Sequence, residues 1–162
     1  MKFTIASAAL LAALSLGACS KPATTTTSAT STTVAITTTT PASFTIGVLA
    51  EHDADIQGCT SSFSRQGDTP GQVFTEDGIN AGAVGYIRIN GNLIKVDLVT
   101  ADDNEKGGTR TFADKGHTVS IVETTITGAT HPEADSVESS GTLAVTFGGA
   151  TQTLQIEGGA AC

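Results

Sequence analysis

Beyond residue 43 the chain alternates apolar and polar side chains, and no stretch sustains the three-and-four spacing of an amphipathic helix, so the pattern predicts strands. The first run is 44–49, followed by an acidic turn at 51–58, a run at 59–64 and a short one at 72–75 ahead of Glu76-Asp77-Gly78. The clearest signal is a hairpin: the β-rich runs 84–89 and 93–99 flank Asn90-Gly91, the dipeptide best suited to a tight turn. Within it Ile87, Ile89, Ile94, Val96 and Leu98 fall on the core face, while Arg88, Lys95 and Asp97 fall on the other. A polar turn at 102–108 precedes a brief run at 109–112 and a longer one at 117–127, in which Val119 and Ile121 share a face and Ile126 closes the end. The acidic stretch 130–140 contains Pro132 and reads as a loop. A second hairpin ends the chain, 142–147 and 151–157 around Gly148-Gly149, with Leu143, Val145, Phe147, Leu154 and Ile156 inward. This spacing predicts an all-β domain over 44–162, an antiparallel sandwich or small barrel of seven to nine strands.

The preceding residues follow another pattern. Lys2 is followed by an apolar run from Phe3 to Leu16, too short to cross a hydrocarbon core, and small residues lead up to Cys19, so 1–18 reads as a cleaved export signal. The sequence Leu16-Gly17-Ala18-Cys19 resembles the lipobox of bacterial lipoproteins; the resemblance covers residues 1–20 only, and the β domain resembles no named family. It implies that the Cys19 sulfur receives a diacylglyceryl group and becomes the first residue of the mature chain. In lipoproteins of enterobacterial type an Asp after the cysteine favours retention at the inner membrane, so Ser20 implies the outer membrane, facing the periplasm. Residues 19–43 then form a linker. Eleven of the 21 residues from 22 to 42 are Thr, and only Val34 and Ile36 are large and apolar, too little to offset the entropy of ordering. As a disordered coil this linker would hold the domain about 25 Å from its anchor.

Charge narrows the partners. The chain carries 8 basic and 16 acidic residues, and removal of the signal takes only Lys2, leaving a mature charge of about −9. Such a surface repels phosphate backbones and lacks the basic stripe that nucleic-acid binding needs. It also disfavours electrostatic contact with anionic headgroups, which leaves the acyl chains as the membrane contact. A basic protein is the partner such a charge attracts. With six Phe, one Tyr and no Trp, the core is built largely of Val, Ile and Leu and gains from a covalent staple. Once Cys19 is lipidated, Cys59 and Cys162 remain, an even number in an oxidising compartment, and they are predicted to pair.

Candidate chemistry is sparse. Asp53 and Asp55 stand at positions 1 and 3 of a calcium-loop pattern with Gly58 at position 6, but Gln57 and Ser64 break it, so they are weak metal candidates in what reads as a solvated turn. The segment 102–107 is rich in carboxylates and carries Lys106 among them. His52, His117 and His131 form no close pair and no HExxH. There is no GxSxG elbow or SxxK, no helix-opening glycine loop for phosphate, and nothing to single out a pair of catalytic carboxylates. The expectation is a lipid-anchored cell-envelope protein that is structural or partner-binding and not an enzyme, with no cofactor. The alternative is an inhibitor or ligand-capturing module for a cationic partner such as a cell-wall hydrolase.

Overall fold

A computed structural model of the chain describes residues 43–54, 56, 58–67, 71–78 and 81–162. The segment 1–18, Cys19, the linker up to residue 42 and Asp55 lie outside them. Nine strands follow one another: β1 Ile46–Gly47, β2 Thr60–Arg65, β3 Gln72–Asp77, β4 Val84–Ile89, β5 Asn92–Asn104, β6 Gly107–Ala113, β7 Val119–His131, β8 Ser136–Phe147 and β9 Ala150–Ala161. From β2 onward each strand pairs antiparallel with the next, and β9 pairs back onto β2, closing an eight-stranded up-and-down barrel. The short β1 is the ninth strand: Ile46 sits opposite Ile89 at the end of β4, and Leu49 donates its N–H to the Gln72 carbonyl at 2.7 Å.

The two sequence-predicted hairpins form where the backbone permits them. Asn90 and Gly91 have φ of 51° and 80°, and Gly148 and Gly149 have φ of 58° and 81°, so both turns place two consecutive residues in the left-handed region that matches strand twist. Alternation then decides which side chains enter the barrel. Ile87, Ile89, Val96, Phe112, Val119, Ile121, Leu143, Val145, Leu154 and Ile156 are buried, with Ile94, Leu98 and Phe147 packed against them. A side chain at Gly85 would place its Cβ 2.7 Å from the Phe74 ring, which crosses the lumen to meet Phe112 edge-to-face at 5.3 Å.

The lumen has an apolar end and a polar end. At the apolar end Phe44 is buried against Phe147, ring centroids 5.8 Å apart, and its carbonyl accepts a hydrogen bond from the Gln152 side chain. Arg65 Nη2 donates to the Ile46 carbonyl at 2.8 Å, so the segment entering the domain closes this end as a stopper. The turns β5–β6 and β7–β8 and the start of β2 stand at the opposite end. There Cys59 and Cys162 are joined, S–S 2.03 Å, just beyond the last rung of the β2–β9 seam, Thr60 opposite Ala161.

The structure corrects three expectations. Residues 130–140 are mostly strand: Thr130 pairs with Val137 and His131 with Ser136, and only a 3-10 turn at Pro132–Ala134 with Asp135 at φ 48° reverses the chain. Residues 102–104 and 107–108 likewise belong to β5 and β6. In both places backbone pairing with a neighbour overrides a turn-like composition. Ile126 does not close the core: even positions of β7 face outward, and it is 67% exposed while Thr125 and Thr127 are half-buried.

The disulfide spans a sequence separation of 103 across the one seam that joins the two ends of the barrel. Replacing both Cys59 and Cys162 with Ser is expected to lower unfolding free energy by about 4 kcal/mol in denaturant titration. Hydrogen exchange should rise first in the amides of β9 and β2.

Candidate functional site: the polar mouth of the barrel

The same alternation that fills one end with hydrocarbon carries charge into the other. Odd positions of β7 point inward, and after Val119 and Ile121 the next is Glu123. On β6 the inward residue next to Phe112 is Arg110, which lies directly opposite Glu123 in the ladder. On β3 Glu76 follows Phe74 inward, with Ser61 of β2 and Gly85 of β4 as its cross-strand neighbours. All three ionisable residues are buried, Glu76 at 0%, Glu123 at 2% and Arg110 at 7% exposure. Arg110 Nη1 donates to Glu76 Oε2, its guanidinium stands 5.7 Å above the Phe112 ring, and its Nε lies 3.6 Å from Asp103 Oδ2 on β5. Beyond them opens a cavity of about 170 Å³, lined by Glu123, Asp103 and Arg110 with the hydroxyls of Ser61, Thr125, Thr127 and Ser139.

Three carboxyls therefore face one guanidinium. Burial pushes the Glu123 carboxyl up to about 10, reinforced by its hydrogen bond with Glu76 and by the charges of Glu76 and Asp103, against the opposing pull of Arg110. Burial also raises Glu76. Oε1 of Glu76 and Oε2 of Glu123 meet no protein donor, yet the two carboxyls interact with each other. A proton on Glu123 follows from its burial, and a carboxylic acid beside the Glu76 carboxylate costs less than two carboxylates would.

Around the mouth the rim is acidic. Asp77, Asp102, Glu105, Glu133, Asp135 and Glu138 stand at or near this end, against Lys106 and His131, whose Nε2 lies 3.1 Å from Glu138 Oε1. Two of the three acidic segments singled out in the sequence thus share one end of the barrel. In the third, Asp53 is bound on the outside of β4: its Oδ2 and Oδ1 accept from Arg88 Nε and Nη2 at 2.5 and 2.6 Å, and Oδ2 also accepts from the Ala50 N–H at 2.7 Å. The Arg88 hydrogen bond holds the Asp53 carboxyl below the usual range. Asp53, a weak metal candidate from the sequence, is thus bound to a guanidinium. Among the described residues no three His, Cys, Asp or Glu side chains gather as a metal site. The fold places His117 in the β6–β7 turn and His131 at the far end of β7.

Glu76, Arg110 and Glu123 are the residues that reading the sequence missed. Extending the alternation Val119, Ile121, Glu123 and pairing Arg110 with Phe112 would have flagged two of them. Comparison with protein-family models, curated proteins and solved structures finds no match.

Since the folded pKa of Glu123 lies above its unfolded value, the native state binds more protons than the unfolded chain between about pH 4.5 and pH 10. That contribution to stability is complete below the unfolded pKa and is lost as pH rises through this window. Unfolding free energy should fall by up to about 1.4 kcal/mol per pH unit above pH 5. Denaturant titrations across pH check this, and Glu123→Gln should flatten the slope and raise stability at alkaline pH.

Proposed function

We propose that this chain is a lipid-anchored protein of the bacterial cell envelope, held at the outer membrane through Cys19 and the linker 19–43, which works by binding and presents the acidic mouth of its barrel to a basic protein. The observation that carries the reading is the polarity of the barrel. The chain enters at the apolar end, where Phe44 packs on Phe147, and the acidic rim stands at the other. A tether arriving at residue 43 leaves the rim on the side away from its attachment.

Binding is favoured over catalysis by how the buried carboxyls are used. A glycosidase pair stands about 5 to 9.5 Å apart to admit a sugar or a water. Here burial keeps Glu123 protonated, and Arg110 neutralises Glu76 from within the lumen. A second reading, capture or inhibition of a cationic hydrolase, draws on the same rim, where acidic groups outnumber Lys106 and His131.

Capture from envelope extract tests the rim. A basic protein retained at low salt and released at high salt is expected, because rim charges are screened within about 8 Å at physiological ionic strength. Charge reversal of Glu133, Asp135 and Glu138 to Lys should lower retention at least tenfold, and retention indifferent to both changes counts against the proposal. Metabolic labelling with a clickable fatty acid tests the anchor: Cys19→Ala should lose label and membrane fractionation together.

A further inference from the structure

The interior of the mouth is short of positive charge. Asp103 of β5, Arg110 of β6 and Glu123 of β7 line it with Ser61, Ser139 and Ala160 of β2, β8 and β9, and Glu76 of β3 is the buried partner of Arg110. Fully ionised, the group carries three negative charges against one positive. Buried carboxylates in that position must take up a proton or a cation. Oε1 of Glu76 and Oε2 of Glu123 are fully buried and no protein donor reaches them, and Glu123 lines the cavity that opens to solvent past Asp103. At about 30 Å³ for each water-sized group, 170 Å³ has room for roughly five or six heavy atoms. Four hydroxyl residues, Ser61, Thr125, Thr127 and Ser139, share the lining with Phe63, Asn104, glycines and Ala160, and their oxygens accept N–H donors.

We propose that the mouth of the barrel is a receptor for a primary ammonium group, taken in between Asp103 at the rim and the Glu76–Glu123 pair at the floor and held by the hydroxyls of Ser61, Thr125, Thr127 and Ser139. The ammonium belongs either to a small alkylamine or to a lysine side chain of a protein. Its three donors suit a site lined by carboxylate and hydroxyl oxygens, and its charge replaces that of the proton it displaces. Each ammonium bound displaces the proton that Glu123 otherwise holds. The inference deepens the reading of the rim as a surface for a basic partner, since a partner's lysine is what would enter.

The test is an NMR titration of the full-length chain with n-butylammonium, with n-butanol as the neutral shape control. Shifts are expected at Ser61, Thr125, Thr127 and Ser139. Affinity should rise about tenfold per pH unit between pH 6 and pH 8, because one proton leaves for each ammonium bound. Glu123→Gln should cost at least tenfold. Thr125→Val, which replaces an inward hydroxyl by a methyl group, should cost severalfold and serves where the Gln variant does not fold. Binding of Nα-acetyl-lysine amide but not of its Nε-acetylated form assigns the site to a side chain, and binding of butylammonium alone assigns it to a free amine. Equal shifts with n-butanol, shifts elsewhere on the barrel, or an affinity unchanged from pH 6 to pH 8 overturn the proposal. A basic protein captured by the rim without any response to butylammonium would leave the rim reading standing and remove this one.

Discussion

Every strand here except the short β1 depends on a seam between the first and last strands of the ring. Neighbouring strands are tied by short turns and pair at little entropic cost, but β2 and β9 are separated by almost the whole domain, so their pairing closes the longest loop. Six rungs hold that seam, from Arg65 opposite Ile156 to Thr60 opposite Ala161, and the disulfide sits one residue beyond the last. Closure leaves the ring without an open edge, which protects a Thr- and Val-rich sheet from pairing with other chains. It also encloses a lumen, and with it the possibility of a site.

What fills that lumen is uneven, and the unevenness is what leaves one end open. An eight-stranded barrel is just wide enough for its own side chains or for one small ligand. Large residues, Phe44, Phe147, Ile89 and Val145, occupy the end where the chain enters, so no space remains there. Toward the other end the inward positions of β2, β8 and β9 hold Ser61, Ser139 and Ala160, too small to meet across the axis. The cavity is the volume that these small residues decline to fill. Phe74 and Phe112 form the boundary, an apolar floor on which the Arg110 guanidinium rests.

Much of this was legible before any coordinates, and the boundary of legibility has a physical cause. Strand class, both hairpins and the pairing of Cys59 with Cys162 follow from local signals: alternation, two turns that demand positive φ, and cysteine number. Strand length was underestimated at 102–104, 107–108 and 136–140 because acidic residues with glycine or proline nearby signal turns locally, while ladder pairing is decided by the neighbouring strand. The site was missed for a related reason. Glu76 stands just past the run 72–75, and nothing local singles out Arg110 or Glu123, since alternation says which side a residue takes but not that β3 stands across the ring from the paired strands β6 and β7. Asp53, a carboxylate that the sequence did single out, lies on the outside of the barrel, where Arg88 holds it.

The buried cluster is an expensive way to build a barrel. Moving an ionised group out of water costs several kcal/mol after relaxation, and a buried ion pair of this kind is often replaced by well-packed hydrocarbon with no loss, or with a gain, of stability. The lumen next to it shows that hydrocarbon packs well in this fold, for Ile121, Leu143 and Val145 occupy neighbouring inward positions without strain on the ladder. Replacing Glu76, Arg110 and Glu123 by apolar residues would therefore remove a pH-dependent penalty and leave the closure seam untouched. Stability does not account for their presence. Their position at the open end, beneath hydroxyls and behind an acidic rim, is what the proposed ammonium receptor uses: a fixed excess of buried acceptors suits a positive charge arriving from outside.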